Sequence, residues 1–468
     1  MTEEKNEKEY FKLNKFSSRK MGDMTLITLD HGSWFVLGNQ EFRHLQRMKM
    51  DPERMKYYED QGLLLTKKGI RKIEEKYKRR YHFLGKQPGL HIIIPTLSCN
   101  MQCNYCHSGS KDKSEDKYHM SEETATKTVD FILNTKNNNI IIEFQGGEPL
   151  LNFGIVKHVV EYSKKKNAEK EKELQKKITC ILVTNLTLLA DEHIEFIHKH
   201  NIKITTSMDG PERIHDSYRK FRPGAGSYKK VVEGFDRLKK KGILAGMLMT
   251  TTKESLRYPE EIVDEYVNHG MTIIQIKPMN WIGDGYANER YTAEEFTDFW
   301  KKALNHIIWL NKKGINIKER TTDILLRKIL TEYDPNFMDI RSPCGAVTGQ
   351  LLYNHDGNIY CCDDGKIFDI FRVGSVHGET YEQILNKNSV KALISSSING
   401  QYLCDACAYK PYCGTCPVAN YAEGGTVIPK LYKSFRCKIR KIQFDHIFEM
   451  LIFDKEKAEI LKNWVSQN

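Results

Sequence analysis

From residue 90 onward, short apolar runs alternate with longer amphipathic stretches. The apolar runs are rich in β-branched residues and cover residues 90–96, 139–145, 178–185, 202–209, 244–251 and 272–279. The intervening stretches have helical spacing and cover residues 121–135, 153–166, 191–200, 227–242 and 258–270. Repeated β-α units predict an α/β fold with a parallel sheet and right-handed crossovers, whose apolar strands are buried on both faces. Ligands of such a sheet bind at the carboxyl ends of its strands, whether it stays open or closes into a partial barrel.

The regions on either side have different patterns. Residues 24–37 contain two β-rich runs around a turn, which predicts a hairpin, and two short helices follow with Asn39 and Asp51 as candidate N-caps. This unit is either a stabilising extension or a module that binds a peptide at a strand edge. Residues 291–314 predict a long amphipathic helix. Beyond about residue 340 helical periodicity fades, so we expect short strands, cysteine-rich loops held by metal, and a final helix near residues 438–453.

Length and composition narrow the class of protein. A chain of 468 residues predicts two or three domains. No apolar run reaches about 18 residues, and the charged N-terminus lacks the apolar core of a signal peptide, so we expect a cytoplasmic protein without a membrane partner. The net charge is +11, but lysines alternate with glutamates, as in residues 164–177. That mixture is typical of solvated surface, and no basic stripe with interleaved aromatic residues indicates a nucleic-acid partner.

The 12 cysteines form two groups separated by some 240 residues, which indicates two metal-binding regions rather than a disulfide framework. The first group is Cys99-x3-Cys103-x2-Cys106, directly after the first apolar run. Three thiolates on one loop can hold three irons of a cubane cluster and leave the fourth iron open. The alternative is a zinc site with His107 as the remaining ligand. Cys180 stands alone within an apolar run and is interpreted as a small buried residue.

The first cysteine group, with Tyr105 before its third cysteine, resembles the CxxxCxφC motif of radical S-adenosylmethionine (SAM) enzymes. That resemblance implies a partial (β/α)6 barrel and a SAM-binding 4Fe–4S cluster on Cys99, Cys103 and Cys106. It further implies an electron donor of the flavodoxin or ferredoxin type. SAM is cleaved to a 5′-deoxyadenosyl radical, which removes hydrogen from an unactivated C–H bond.

Three further stretches extend the resemblance to the family's SAM site. GGEP at residues 146–149 stands where the family binds the SAM amino group, which implies contacts from Gly146, Gly147 and Glu148. Residues 207–219 resemble the fourth-strand segment, which implies that Ser207 and Arg219 reach the SAM carboxylate. Residues 184–189, TNLTLL, resemble the family's TNGTLL, with Asn185 at the site and Leu186 in the place of glycine.

The C-terminal cysteines resemble the SPASM extension of radical SAM enzymes, although the paired cysteines alone could form a zinc ribbon. The resemblance implies two auxiliary 4Fe–4S clusters. One is bound by Cys404, Cys407, Cys413 and Cys437. The other is bound by Cys344, Cys362 and Cys416, and Cys361 or a substrate atom completes it. Asp363 stands where sulfatase-maturating relatives have a catalytic carboxylate, so it is a candidate base as well as a candidate turn residue.

Within the family, the chain most resembles the radical SAM maturases of His-Xaa-Ser systems. The resemblance lies in "IIEFQGGEPLLNF", "MTTTKESLRYPEEIVDEYV" and "CAYKPYCGTCPV". It implies an enzyme that oxidatively crosslinks residues of a ribosomally made precursor peptide, through thioether or carbon–carbon bonds. The expected domains are a winged-helix-like peptide-recognition unit (1–85), a radical SAM domain (86–320), a bridging segment (321–343) and a SPASM domain (344–468). The alternatives are an anaerobic sulfatase-type maturase that forms formylglycine and a zinc-containing adaptor protein.

Overall fold

The structure, a computed structural model, describes residues 12–112, 116–222, 224–287, 290–396, 401–428, 430 and 433–466. Its centre is a sheet of nine strands: β1 Leu90–Ile93, β2 Asn139–Phe144, β3 Lys177–Val183, β4 Lys203–Ser207, β5 Ala245–Thr251, β6 Ile276–Pro278, β7 Gln350–Tyr353, β8 Asn358–Tyr360 and β9 Arg372–Ser375. The strand order is β6-β5-β4-β3-β2-β1-β7-β8-β9.

Strands β1 to β6 are parallel and follow one another in chain order across the sheet. The helices of this part are Glu122–Asn134, Phe153–Ala168, Asp191–His200, Glu212–Tyr218, Tyr228–Lys240 and Pro259–Asn268. The predicted series of β-α units is therefore confirmed. Helices Ala293–Lys312 and Arg320–Leu330 follow, and the first of them is the long amphipathic helix expected at residues 291–314.

The expected burial of both strand faces is wrong for β2. Ile140, Ile142 and Phe144 are buried in the main core, whereas Ile141, on the opposite face, is 37% exposed. Glu143 lies on the same face as Ile141, since successive side chains of a strand alternate. We refer to this second face of the sheet as the lumen face, and on β1, β7 and β8 it carries a small buried cluster of its own, Ile92, Ile94, Leu352 and Tyr360.

The C-terminal region enlarges the central sheet. Strand β7 pairs in parallel with β1, and β8 and β9 continue the sheet in antiparallel orientation. The short strands β7 and β8 agree with the prediction, but the expected loss of helices does not. Helices in this region are Tyr381–Asn386, Asn388–Ser395, Tyr402–Asp405, Pro417–Gly424, Phe435–Phe453 and Lys455–Ser466. Short helices with few apolar positions show little hydrophobic periodicity, so the sequence pattern does not predict them.

An N-terminal unit, residues 12–80, packs onto this body. Strands Ser17–Met21, Met24–Thr28 and Trp34–Gly38 form an antiparallel sheet, which contains the predicted hairpin. Helices Asn39–Gln46, Pro52–Gln61 and Lys67–Arg80 cover it. Asp51 caps its helix by accepting from the Arg54 N–H at 2.8 Å. Asn39 does not act as a cap, because the helix begins at Asn39 and Gly38 is the N-cap.

Two short strands, Lys12–Leu13 and Leu64–Leu65, pair at the edge of this unit. The remaining short strands of the described residues are Ser98–Cys99, Met101–Cys103, Lys111–Asp112, Arg219–Phe221, Ile273–Ile274 and Lys318–Glu319. Across the described ranges, none of the helices has both the length and the apolar character that a membrane span requires.

Candidate functional site

The first three cysteines lie on a loop at the carboxyl end of β1. Strand Met101–Cys103 of this loop pairs antiparallel with strand Arg219–Phe221, which places Arg219 opposite Cys103. Burial is the main cause that raises the pKa of the Cys99 thiol, followed by the Glu148 carboxylate and the other two thiols. Burial likewise raises the pKa of Cys103 to about 12. The three thiols are therefore close neighbours, and burial favours the neutral form of Cys99 and Cys103.

The two glycines of GGEP are required by close backbone contacts. A Cβ on Gly147 would lie 2.1 Å from the Ser98 carbonyl oxygen, and one on Gly146 would lie 2.7 Å from the Thr96 carbonyl oxygen. Gly146 also has a φ of +128°, which favours glycine. The Gly147 N–H donates to Thr96 at 2.9 Å. The GGEP loop thus lies directly against the chain that leads into the cysteine loop.

Glu148 connects this loop to the end of β3. Its carboxylate is buried and accepts from the Leu150 N–H at 3.0 Å, the Thr184 hydroxyl at 2.7 Å and the Asn185 N–H at 2.8 Å. Burial still raises the pKa of Glu148 above its usual value. Three protein donors leave one of about four lone-pair positions of the carboxylate free for a ligand. The expected contact with SAM would use that position.

Leu186 adopts the backbone conformation that the family's glycine would take. Its φ is +62°, in the left-handed region, and its side chain is buried. The preceding residue, Asn185, donates from Nδ2 to the Asn100 side chain at 3.0 Å, next to Cys99. The turn at Leu186 thus brings Asn185 to the cysteine loop.

Asp209 contacts two of the predicted site residues, although no sequence motif selects it. It is 1% exposed, and it accepts from the Tyr105 hydroxyl and from Arg219 Nε, the latter at 2.9 Å. Arg219 Nη1 lies 4.0 Å from Cys103 Sγ. The only available signal was the position of Asp209 just beyond the carboxyl end of β4, where ligands of such sheets gather.

Ser207 is the last residue of β4. Within the described residues, its side chain makes no hydrogen bond to Arg219 or Asp209. Glu143 of β2 and Lys277 of β6 lie on the lumen face, and Lys277 Nζ lies 3.5 Å from Asp339. The Glu143 carboxylate makes neither a hydrogen bond nor an ion pair among the described residues, although its backbone is paired in the sheet. Burial, and then the charge of Asp363, raise the pKa of Glu143 to about 7.

The C-terminal thiols form two groups. Burial and three neighbouring thiols raise the pKa of Cys404 to about 12, and those thiols belong to Cys407, Cys413 and Cys437. Burial and then the thiols of Cys416 and Cys362 raise the pKa of Cys344 above its usual value. These are the two sets expected from the sequence. Cys361 is fully buried, and its Sγ atom lies 3.7 Å from that of Cys362.

The first of these groups lines a cavity that suits an iron–sulfur cluster. The cavity has a volume of about 250 Å³, and all four thiols of the group and that of Cys416 line it. Arg440 also lines it, and none of the described carboxylates forms an ion pair with its guanidinium. Burial lowers the pKa of Arg440, and an anion in the cavity would stabilise its charged form. A cluster with four thiolates carries net negative charge, so the residues fit such a group.

Asp363 lies between the cysteine loop and the C-terminal thiols. His107 Nε2 lies 3.0 Å from Asp363 Oδ2, and Lys366 Nζ donates to the other carboxylate oxygen. Burial alone would raise the pKa of Asp363, but Lys366 and His107 outweigh burial and hold it well below its usual value. Asp363 is thus a carboxylate that stays charged beside the lumen face.

Comparison with known proteins agrees with this geometry. Residues 93–266 match the sequence model of the Radical SAM superfamily. The cysteine-type anaerobic sulfatase-maturating enzyme of Clostridium perfringens is 26% identical over 381 residues, which are 78% of this chain and 98% of that relative. The serine-type enzyme of Bacteroides thetaiotaomicron is 25% identical over 393 residues, 79% of this chain and 92% of the relative.

Two solved structures have the same fold. Native anSMEcpe with bound AdoMet superposes with a TM-score of 0.68 at 22% identity, covering 80% of this chain and 99% of that one. Streptococcus suis SuiB bound to precursor peptide SuiA superposes with a TM-score of 0.57 at 12% identity, covering 92% of this chain and 100% of that one. These structures share the fold of this chain, and its similarity to the Radical SAM superfamily model and to the sulfatase-maturating enzymes indicates an enzyme.

Proposed function

We propose that this enzyme is a radical SAM/SPASM maturase that oxidatively crosslinks residues of a ribosomally made precursor peptide. The observation that carries the proposal is the presence of three separate groups of neighbouring thiols in one chain. A single site would suffice to cleave SAM, whereas two further redox sites suit a reaction that removes two electrons from the substrate. An external flavodoxin or ferredoxin would supply the electron for the first site.

The residues that would hold the cofactors follow from the geometry. Cys99, Cys103 and Cys106 would hold the first 4Fe–4S cluster. Bound there with SAM, it supplies the radical that removes hydrogen from a peptide C–H bond. The residues around it are preorganised by the protein alone. Glu148 retains a free acceptor position for an ammonium group. Arg219 is fixed through Nε by Asp209 and lies with Nη1 against Cys103 Sγ, which leaves Nη2 for a carboxylate.

The two C-terminal thiol groups would hold the auxiliary clusters, with Cys404, Cys407, Cys413 and Cys437 on one. Cys344, Cys362 and Cys416 would hold the other, with Cys361 or a substrate atom as its fourth ligand. Binding of iron must displace protons from these thiols, because burial raises the pKa values of Cys344, Cys404 and Cys416. Loading should therefore acidify a weakly buffered solution.

The presence of the N-terminal unit is an argument for a peptide substrate. Structure comparison with peptide-bound SuiB covers 92% of this chain, whereas comparison with anSMEcpe covers 80%. The difference approaches the share of the chain that residues 12–80 occupy. A three-stranded sheet with an open edge can bind an extended peptide by strand addition, so residues 1–85 are proposed as the peptide-recognition domain.

Formylglycine formation on a sulfatase is the second candidate, and Asp363 favours it. This carboxylate stands beside the lumen face and is held charged by His107 and Lys366. A charged carboxylate can take the proton that a substrate side chain must lose on oxidation. The sulfatase-maturating relatives cover most of this chain, but their sequence identity is at most 26%.

The cofactor assignment can be tested with the whole chain. Anaerobic reconstitution should give a brown protein with about twelve irons, because each 4Fe–4S cluster holds four. Replacing Cys99, Cys103 and Cys106 together by alanine should remove about four irons and abolish formation of 5′-deoxyadenosine from SAM. The matched control is Cys180→Ala, since Cys180 is buried in β3 away from these groups. Persistent deoxyadenosine formation, or a colourless zinc protein, would refute the assignment.

The two substrate classes can be separated by mass spectrometry. The enzyme is incubated anaerobically with SAM and either a precursor peptide encoded beside its gene or a sulfatase-type peptide that contains a cysteine. A crosslink removes two hydrogens per bond and leaves no aldehyde. Formylglycine gives an aldehyde that reacts with hydrazides. An aldehyde on the second peptide, with no mass change on the first, would replace the crosslinking proposal by the sulfatase-type one.

A further inference from the structure

The five residues between Cys407 and Cys413 are packed between the N-terminal unit and the helix Phe435–Phe453. We refer to residues 408–412 as the spacer. Its conformation fixes where the thiols of Cys407 and Cys413 stand relative to each other. The contacts that hold the spacer come from parts of the chain that are distant in sequence.

The N-terminal unit holds the spacer by direct hydrogen bonds. The Thr28 hydroxyl donates to the Ala408 carbonyl oxygen at 2.7 Å, and both residues are buried. The Tyr412 hydroxyl donates to the Gly32 carbonyl oxygen at 2.9 Å. These bonds join residues 380 positions apart in the chain.

Arg80 forms the third connection. Its guanidinium is buried and donates to the carbonyl oxygens of Pro411 and Lys328. It also lies over the Tyr412 ring, 5.3 Å from the ring centroid. Gly32 leaves room for this side chain, because a Cβ there would stand 3.1 Å from Arg80 Nη1. None of the described carboxylates forms an ion pair with Arg80, so the carbonyls and the ring are the groups that fix it.

The opposite side of the spacer is held by the C-terminal helix. The Tyr409 ring stacks on Phe444 with centroids 5.0 Å apart, and its hydroxyl donates to Asp445. Arg19 of the N-terminal unit makes a two-point ion pair with the same Asp445. The N-terminal unit therefore contacts both the spacer and the helix against which the spacer packs.

We propose that the N-terminal unit positions the Cys407 and Cys413 thiols, so that the metal site they form depends on residues Thr28 and Arg80. This inference rests on the proposed function, in which these thiols hold an auxiliary cluster. It assigns the unit a second role that is independent of any peptide. Thr28 and Arg80 are positioning residues, since they act on the thiols through the backbone of the spacer.

The test uses the full chain with Cys99, Cys103 and Cys106 replaced by alanine, so that only the C-terminal sites report. Thr28→Val removes the hydroxyl and leaves the Ala408 carbonyl without its partner in nearly the same volume. An unpaired buried carbonyl is unfavourable enough that iron should be lost to a chelator about fivefold to tenfold faster. The reduction potential of one EPR signal should also shift. Thr28→Ser, which restores the hydroxyl, should return both values toward those of the parent.

The matched control is Thr25→Val on the same strand, because Thr25 is buried and its hydroxyl makes no hydrogen bond to the spacer in the described part of the chain. Equal iron loss and equal potentials in the Thr28→Val and Thr25→Val proteins would overturn the inference and leave the proposed function intact. Failure of the proposed function itself would be seen in a different variant. If Cys413→Ala left the iron content unchanged, these thiols would not hold a cluster. That outcome removes the cluster from this site, and the inference with it.

Discussion

His107 Nε2 lies 3.0 Å from Asp363 Oδ2, although 256 positions separate the two residues in the chain. His107 directly follows Cys106, and Asp363 directly follows Cys362. This contact therefore joins the loop of the first thiol group to the strand end that carries the second. Any shift of one group relative to the other must break or stretch this pair.

We expect Asp363→Asn to destabilise the protein by about 3 kcal/mol, because it leaves the buried Lys366 without its carboxylate. A depressed pKa in the folded state gives stability that is present above the unfolded value of about 4 and is lost as the pH falls below it. The loss should thus be constant from pH 5 to 8. Melting temperatures across that range measure it, and Asp369→Asn is the control, since Asp369 is exposed in its pair with Arg372.

Glu143 should behave in the opposite way. Its pKa of about 7 lies above the unfolded value, so its contribution to stability is present at low pH and is lost as the pH rises through 7. Glu143→Gln should therefore stabilise the protein relative to the native chain at pH 8, by on the order of 1 kcal/mol, and much less at pH 5. The carbonyl stretch of a protonated carboxyl, lost near pH 7 in the native chain and absent in the variant, checks the assignment. A pH-independent difference in melting temperature would contradict it.

Asp209→Asn should destabilise the protein by about 3 kcal/mol, because it removes the buried anion that faces Arg219 and Tyr105. SAM affinity should fall as well, since Arg219 loses the group that orients it. Calorimetry and equilibrium dialysis with SAM measure the two effects. Asp191→Asn breaks an exposed pair with Arg237 and should change stability by less than about 0.5 kcal/mol. Equal effects of the two substitutions would be evidence against a preorganised Arg219.

Leu186→Gly relieves a left-handed backbone, which is worth about 1–2 kcal/mol, but it also removes a buried side chain worth about 2–5 kcal/mol. The net result should be destabilising. Leu189→Gly, three residues along, removes a similarly buried side chain without any relief, because Leu189 has no positive φ. We therefore expect Leu189→Gly to lower the melting temperature more than Leu186→Gly, and the reverse order would show that Leu186 is unstrained.

The sequence predicts the series of β-α units well, because each strand and helix has its own periodicity. It predicts the thiol groups only through family resemblance, since spacing alone does not tell which distant cysteines meet. The sequence does not predict the role of Asp209, because that role depends on burial between the cysteine loop and strand Arg219–Phe221. The sequence also does not predict how residues 12–80 pack against the rest of the chain. Leu26 belongs to the main core while Ile27 belongs to the unit's own core, so the unit is not the removable module that its position suggests.

Strand β7 lies beside β1, so the first strand of the central sheet gains its second neighbour from the last third of the chain. During synthesis, β1 therefore presents an unpaired edge until residues 350–353 have left the ribosome. The cysteine loop that follows β1 is incomplete for the same period, because Asp363 reaches His107 only with that later segment. The contact between His107 and Asp363 can therefore form only after about three quarters of the chain has been synthesised, and the unpaired edge of β1 is open to aggregation before then.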